Sequence, residues 1–153
     1  MTQIILLDVD STLINEEVID LIAAKAGVSK EVSRITSSAM AGEINFSESL
    51  LRRVSLLAGV SVTALDEVRE SITLTNGAAE LVSALQARGD IVAVVSGGFT
   101  EVISPLLTTL KISRFKANSL EIIEGKLSGK VQGKIIDRRA KADFLKEIVA
   151  SSG

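Results

Sequence analysis

Two unbroken apolar runs constrain this chain more than any other feature. Ile4-Ile5-Leu6-Leu7 lies near the N-terminus and Ile91-Val92-Ala93-Val94-Val95 past the middle. A strand with one solvated face alternates apolar and polar residues, whereas a strand that is apolar at every position has both faces covered. Both runs give way downstream to polar residues and then to apolar residues at helical spacing. Buried strands alternating with helices imply a parallel sheet flanked by helices, an α/β fold. Ligands of such a sheet bind beyond the carboxyl ends of its strands. The first run opens there onto Asp8-Val9-Asp10-Ser11-Thr12, the second onto Ser96-Gly97-Gly98.

Between the two runs the pattern is helical. Val18, Leu21 and Ile22 share one face, with Gly27 as a C-terminal stop. Ser29 reads as an N-cap to a helix with Val32, Ile35, Ala39 and Met40. A third helix spans about residues 47–58, with Leu50, Leu51, Val54 and Leu57 along one stripe. A fourth, shorter helix carries Leu65, Val68 and Ile72. After Asn76-Gly77 a helix with Leu81, Val82 and Leu85 leads into the second apolar run. Ser96-Gly97-Gly98 is expected as a tight loop before a helix with Val102, Ile103, Leu106 and Leu107, in which Pro105 marks a kink or an early turn. A short strand over residues 115–118 follows. Strands over 120–123 and 126–131 then flank Glu124-Gly125, a hairpin signal. A final helix covers about residues 138–149. The expected organisation is a discontinuous α/β core (residues 1–13 and 76–153) interrupted by a helical insertion (residues 14–75). At 153 residues the chain suits one domain with a small insertion.

The residue types that are missing exclude whole classes of chemistry. The chain has no His, Cys, Tyr or Trp, so a Ser-His-Asp site and a zinc site with His or Cys ligands are ruled out. Catalysis must rest on carboxylates, Lys, Arg, Ser, Thr and backbone groups. A metal, if used, is a hard oxygen-binding ion such as Mg²⁺. Net charge is −2 without a Lys/Arg block, which argues against nucleic acid or an anionic membrane as partner. No apolar stretch approaches the ~20 residues of a membrane span. The N-terminus enters a strand without a basic leader, and with the absence of cysteine this points to a cytoplasmic location.

Asp8 and Asp10 place two like charges one residue apart, which calls for a cation or a shared proton. A calcium loop does not fit, because the positions that need Gly and Glu hold Leu13 and Ile19. Ser96-Gly97-Gly98 offers a hydroxyl and free N–H groups at a helix start, a setting that suits an anion. No Gly-Lys-Ser/Thr follows, so it is not a Walker loop. In the last helix, Lys141 falls near the middle of the face defined by Phe144, Leu145, Ile148 and Val149. Such a lysine either meets an anion or snorkels past its neighbours to water. In the third helix Arg53 borders the apolar stripe and Arg52 lies nearly opposite. Arg53 is the better placed of the two to grip a carboxylate bidentately, although an ordinary ion pair would also account for it. Periodicity does not choose between Glu16 and Glu17.

Taken together, these segments resemble the haloacid dehalogenase superfamily and, within it, the phosphoserine phosphatases. The resemblance rests on Asp8-Val9-Asp10-Ser11-Thr12-Leu13-Ile14, on Ala39-Met40-Ala41-Gly42, Asn45-Phe46, Ser49-Leu50 and Arg52-Arg53-Val54, on Val94-Val95-Ser96-Gly97-Gly98-Phe99-Thr100, on Ala117 to Glu121 with Gly125-Lys126-Leu127, and on Lys141. It implies a Rossmann-like parallel sheet with a helical cap and a β-hairpin. It further implies Mg²⁺-dependent hydrolysis of O-phospho-L-serine, the last step of serine biosynthesis. Asp8 would be the nucleophile and Asp10 the acid and base, with Mg²⁺ held by the Asp8 carboxylate and the Asp10 carbonyl. Ser96, Gly97 and Lys141 would bind the phosphoryl oxygens. Glu17 would receive the substrate ammonium and Arg53 its carboxylate, with Met40 and Phe46 closing the pocket.

The chain departs from the family pattern at two points. Asn76 stands where the family usually has Pro. The family's Gly-Asp-Gly-x-x-Asn-Asp motif, with a further metal carboxylate, does not occur before Gly153, so the sheet is expected to lack its last strands and the metal one charged ligand. The alternatives to a full phosphatase are then a weakly active or inactive phosphoserine- or phosphate-binding protein, or a phosphatase or phosphotransferase for another small phosphomonoester. The first strand is expected to present a free edge that promotes self-association.

Overall fold

The computed structural model describes residues 1–152. The described residues form four strands and seven α-helices in an α/β arrangement. The sheet runs in the order β1 (Ile4–Leu7), β2 (Ile91–Phe99), β3 (Phe115–Ile123), β4 (Lys126–Gln132). β1 and β2 pair in parallel from Ile4 opposite Ile91 to Leu7 opposite Val94, β2 and β3 pair in parallel, and β3 and β4 pair antiparallel. The helices are α1 (Val18–Ala26), α2 (Ser29–Met40), α3 (Phe46–Ser55), α4 (Val62–Ser71), α5 (Ala78–Ala87), α6 (Thr100–Thr109) and α7 (Arg138–Ser152).

The apolar runs behave as double-sided strands. Along β2, Val92 and Val94 enter a large core shared with the helices of residues 18–109, where Ile22, Leu50, Leu65, Ile103 and Leu107 are buried. The intervening Ala93 and Val95 enter a second core under α7, built from Ala140, Phe144 and Ile148 with Ile4 and Leu6 of β1 against it. A period-2 side-chain alternation with apolar residues at every position serves both layers. β1 lies at the edge of the sheet among the described residues, with only β2 beside it.

Three local expectations need revision. Ser96-Gly97-Gly98 is not a tight loop but the extended end of β2, where pairing with β3 breaks between Val95 and Phe99. Residues 115–123 form one strand, not two; β3 leaves β2 after Asn118 and continues alongside β4. α3 ends at Ser55, and tighter turns carry the chain on to Gly59. The hairpin turn has positive φ at both central residues, Glu124 (50°) and Gly125 (76°), the geometry whose twist matches that of the strands.

The hairpin also meets the helical segment. The N–H groups of Gly59 and Val62 donate to the carbonyls of Leu127 and Gly125, and Leu127 donates back to Val60. Helices α1 to α4 leave and rejoin the α/β part where Ile14 and Leu74 form an isolated antiparallel bridge.

Candidate active site

The site is built from the ends of β1 and β2, from the starts of α1 and α7, and from one face of α3 between Phe46 and Arg53. After β1 the chain makes a tight turn over Val9–Leu13. One oxygen of Asp8 accepts the N–H of Val9 at 2.7 Å, and Ser11 sits in the left-handed region with φ 55°. This turn directs both Asp8 and Asp10 into a cleft of about 190 Å³. Pockets for drug-sized ligands are roughly 300–1,000 Å³, so this one suits a small metabolite. Glu17, Arg53, Lys141 and Gly97 also line it, and Phe46, Leu50 and Ile19 supply its apolar wall.

Each polar group is held by a local device. Lys141 lies in the first turn of α7, whose start is fixed by Asp137: its carboxylate accepts the Ala140 N–H at 2.8 Å and its carbonyl accepts the Lys141 N–H at 3.0 Å. The ammonium of Lys141 then reaches within 3.6 Å of the second Asp8 oxygen. Arg53 is half-buried; its Nε donates to the Ser49 carbonyl at 3.3 Å and its Nη1 to Thr36 Oγ at 3.5 Å. Burial lowers the pKa of its guanidinium from the ordinary value, against the opposing fields of Asp20 and Glu17. Arg52, by contrast, pairs with Glu48 on the surface.

The structure separates Glu16 from Glu17. The carboxylate of Glu16 accepts the Thr73 N–H at 3.0 Å and the Thr73 hydroxyl at 2.6 Å, outside the cleft. The carboxylate of Glu17 faces the cleft and accepts the Ser11 hydroxyl at 3.1 Å. It also lies near Asp10. Burial, then the charge of Glu17, raises the Asp10 carboxyl to about 8, and one Asp10 oxygen is buried without a hydrogen-bond partner. A carboxylic acid in this state carries its proton at neutral pH and can donate it.

Ser96 is fully buried, and its hydroxyl oxygen accepts the Gly98 N–H at 2.9 Å. It therefore lies behind the cleft wall, where Gly97 is the exposed member of the pair. Met40 does not join the site. It sits at the end of α2, 85% exposed. The reason is that α2 is anchored by Val32, its one fully buried residue, in its N-terminal half. Its last turn overhangs into solvent. Phe46, in contrast, stacks over Gly97, its ring 3.7 Å from where a Cβ on that glycine would be.

Two residues outside the sequence-based set prove to be structural partners of the site. A Cβ at Gly98 would lie 3.1 Å from Ser96 Oγ and 3.3 Å from an Asp10 oxygen, so glycine lets β2 approach the turn that carries Asp10. Asn118 is completely buried. Its amide nitrogen donates to the Gly97 carbonyl at 3.1 Å and its side-chain oxygen accepts the Ile136 N–H at 2.8 Å. It thus ties the end of β2 to the segment that starts α7 and carries Lys141. The strand also carries Lys116, Ser119 and Glu121, so the sequence did not mark Asn118 as the buried polar residue that must find partners.

A magnesium ion fits the donors that are present. The Asp8 carboxylate and the Asp10 backbone offer hard oxygens, and no cage of three or more His, Cys, Asp or Glu side chains exists among the described residues. Mg²⁺ commonly binds through one or two protein carboxylates while keeping several waters.

Residues 5–153 match the family model of the haloacid dehalogenase-like hydrolases. The chain is 46% identical over 151 residues to a phosphoserine phosphatase of Streptomyces coelicolor, covering 99% of this chain and 37% of that protein. It is 47% identical over 144 residues to a phosphoserine phosphatase of Lactococcus lactis, covering 94% of this chain and 67% of that protein. A solved substrate-bound phosphoserine phosphatase complex superposes with a TM-score of 0.94 at 41% identity, over 100% of this chain and 73% of the other. A phospho-aspartyl intermediate analogue of phosphoserine phosphatase superposes with a TM-score of 0.92 at 42% identity, over 99% of this chain and 73% of the other. The chain thus spans from little more than a third to about three quarters of the length of these relatives.

Proposed function

The chain belongs to the haloacid dehalogenase-like hydrolases, and on that footing we propose that it acts as a Mg²⁺-dependent phosphoserine phosphatase of serine biosynthesis. One observation carries the reading. A single small cleft holds Asp8, Asp10 and Lys141 together with a carboxylate, Glu17, and a guanidinium, Arg53. The first group suits a phosphoryl centre, and the second suits the ammonium and carboxylate of an amino acid. A sugar phosphate would leave both of those charges unanswered.

In the proposed reaction an Asp8 carboxylate oxygen attacks phosphorus in line. The bond from phosphorus to the serine oxygen breaks, and the leaving oxygen takes the proton of Asp10. Asp10, now ionised, accepts a proton from water as that water attacks the aspartyl phosphate. Inorganic phosphate leaves and both carboxyl groups return to their starting state. Lys141 and the Gly97 N–H stabilise the charge on the phosphoryl oxygens, while the Ser96 hydroxyl holds the Gly98 N–H behind them. The Asp8 carboxylate and the Asp10 carbonyl would hold Mg²⁺, whose positive charge would offset repulsion between the nucleophile and the phosphate dianion.

Phe46 covers the phosphate-binding strand end, and residues 14–75 act as the cap that carries Arg53 and Glu17. No helix among the described residues is long and apolar enough to cross a membrane. The test is phosphate release from O-phospho-L-serine in Mg²⁺ buffer, native protein against Asp8→Asn. Release is expected from the native protein alone; equal release from both would sink the assignment.

A further inference from the structure

Pro105 lies inside α6, at the sixth residue of the helix. Proline has no N–H, so the carbonyl four residues back, that of Glu101, lacks its helical donor, and the ring pushes that carbonyl away from the helix axis. A part-buried acceptor in this state is stabilised by another partner. It has one from a different part of the molecule: Arg69 of α4 donates from Nη1 to the Glu101 carbonyl at 2.5 Å. The Glu101 side chain, meanwhile, accepts the Leu120 N–H at 2.7 Å, which ties the same turn of α6 to β3. Asp66, one turn before Arg69, pairs with the guanidinium and restrains it.

The position of this contact gives it a functional reach. Four residues after Arg69, Thr73 takes part in a dense set of bonds. The Asn15 N–H and side-chain amide donate to the Thr73 carbonyl and hydroxyl at 3.0 and 2.8 Å, and Glu16 accepts from both Thr73 donors. Glu17, which faces the cleft, is the next residue. On the other side of the contact, α6 begins directly after β2, three residues beyond Gly97. The path from the amino-acid end of the cleft to its phosphate end therefore runs Glu17, Glu16, Thr73, α4, Arg69, Glu101, α6, Gly97.

We propose that Arg69 is a positioning residue which, by taking the carbonyl that Pro105 leaves free, sets the separation between Glu17 and the phosphate-binding end of β2. This rests on phosphoserine as the ligand. Arg69 touches no substrate; it acts on selectivity between phosphoserine, which spans the cleft, and inorganic phosphate, which occupies one end.

The test uses the full chain carrying Asp8→Asn, which prevents turnover, in Mg²⁺ buffer; phosphoserine and inorganic phosphate are titrated calorimetrically into this parent and into the variants built on it, alongside thermal melts. Arg69→Ala is expected to weaken phosphoserine binding about tenfold, the scale of one hydrogen bond to a charged group, and to change phosphate binding less than about twofold on the same scale. Arg69→Lys, which keeps a donor, should recover part of the loss. Pro105→Ala restores the helical N–H that competes for Glu101. It should raise the melting temperature, because proline is unfavourable in a helix interior, yet weaken phosphoserine binding. In the Arg69→Ala background it should cause no further loss. Equal weakening of phosphoserine and phosphate by Arg69→Ala, or unchanged phosphoserine affinity in Pro105→Ala, would overturn the proposal. An Asp8→Asn parent that does not prefer phosphoserine to phosphate refutes the phosphoserine reading instead. The contact itself is then judged by the melts, where additive effects of the two substitutions show that Arg69 and Pro105 are not coupled.

Discussion

Replacing Asn118 by Leu tests the link between the two phosphate-binding elements. The substitution removes both side-chain hydrogen bonds, that to the Gly97 carbonyl at 3.1 Å and that from the Ile136 N–H at 2.8 Å. Asn118 is wholly buried, so water cannot replace it and both backbone groups are left unpaired. Each orphaned group costs about 1–3 kcal/mol, and the two together about 3 kcal/mol. Leu shares the branching of Asn at Cγ but is larger, so the apolar contacts it adds and the crowding it causes at this buried site oppose each other, and the loss is set by the orphaned groups. Against a total stability of about 5–15 kcal/mol that is a large loss, equivalent to a fall in melting temperature of roughly 6–12 °C for a chain of this size. Urea unfolding followed by circular dichroism measures the free energy directly. Phosphate titration of the folded variant measures whether Gly97 and Lys141 have moved apart. Asn118→Asp sharpens the test. Its carboxylate can still accept from Ile136 but sets an oxygen against the Gly97 carbonyl, so stability should recover on acidification as the carboxyl regains a proton to donate. A loss below about 1 kcal/mol in Asn118→Leu, with unchanged phosphate affinity, would refute the reasoning.

Three further outcomes are expected. Arg53→Ala should weaken phosphoserine binding roughly 10- to 100-fold, the value of hydrogen bonds to a charged group, and leave inorganic phosphate untouched; equal effects on both ligands would remove Arg53 from the carboxylate end. Asp10 is raised from an ordinary 3.8 to about 8, so the folded state binds more protons than the unfolded one across that window. Its contribution therefore favours folding below the lower value and fades as pH rises toward the upper; urea titrations of metal-free protein should show stability falling from about pH 4 to 8, with a flatter profile in Asp10→Asn, and identical slopes would contradict the assignment. The free edge of β1 is proposed to pair with a second copy, and light scattering at rising concentration should report mass above that of a monomer; a monomer at high concentration would count against it.

The parts of the fold that were legible are those written along a single element. The runs at 4–7 and 91–95 announced double-sided strands because every position is apolar, and β2 indeed divides its side chains between two cores. Glu124-Gly125 announced the hairpin because few residues tolerate the backbone that its turn demands. Asp8 and Asp10 were conspicuous because charges rarely follow a buried strand without a task. Lys141 was less clear. The stripe of α7 that is buried is Ala140, Phe144 and Ile148, and Lys141 flanks it, part exposed, close enough to meet Asp8.

What tertiary structure alone decided are relations between segments far apart in the chain. Glu16 and Glu17 are chemically alike and equally distant from their helix's apolar face. Thr73, more than fifty residues on, engages one and leaves the other to the cleft. Met40 has the spacing of a packed residue, yet nothing lies opposite the end of α2 to cover it. Asn118 reads as one polar residue among several in its strand until Gly97 and Ile136 converge on it, and Pro105 reads as a helix defect until Arg69 arrives. Periodicity records which side of an element avoids water. It carries no record of which distant donor fills a given acceptor, because that pairing exists only once the elements have packed.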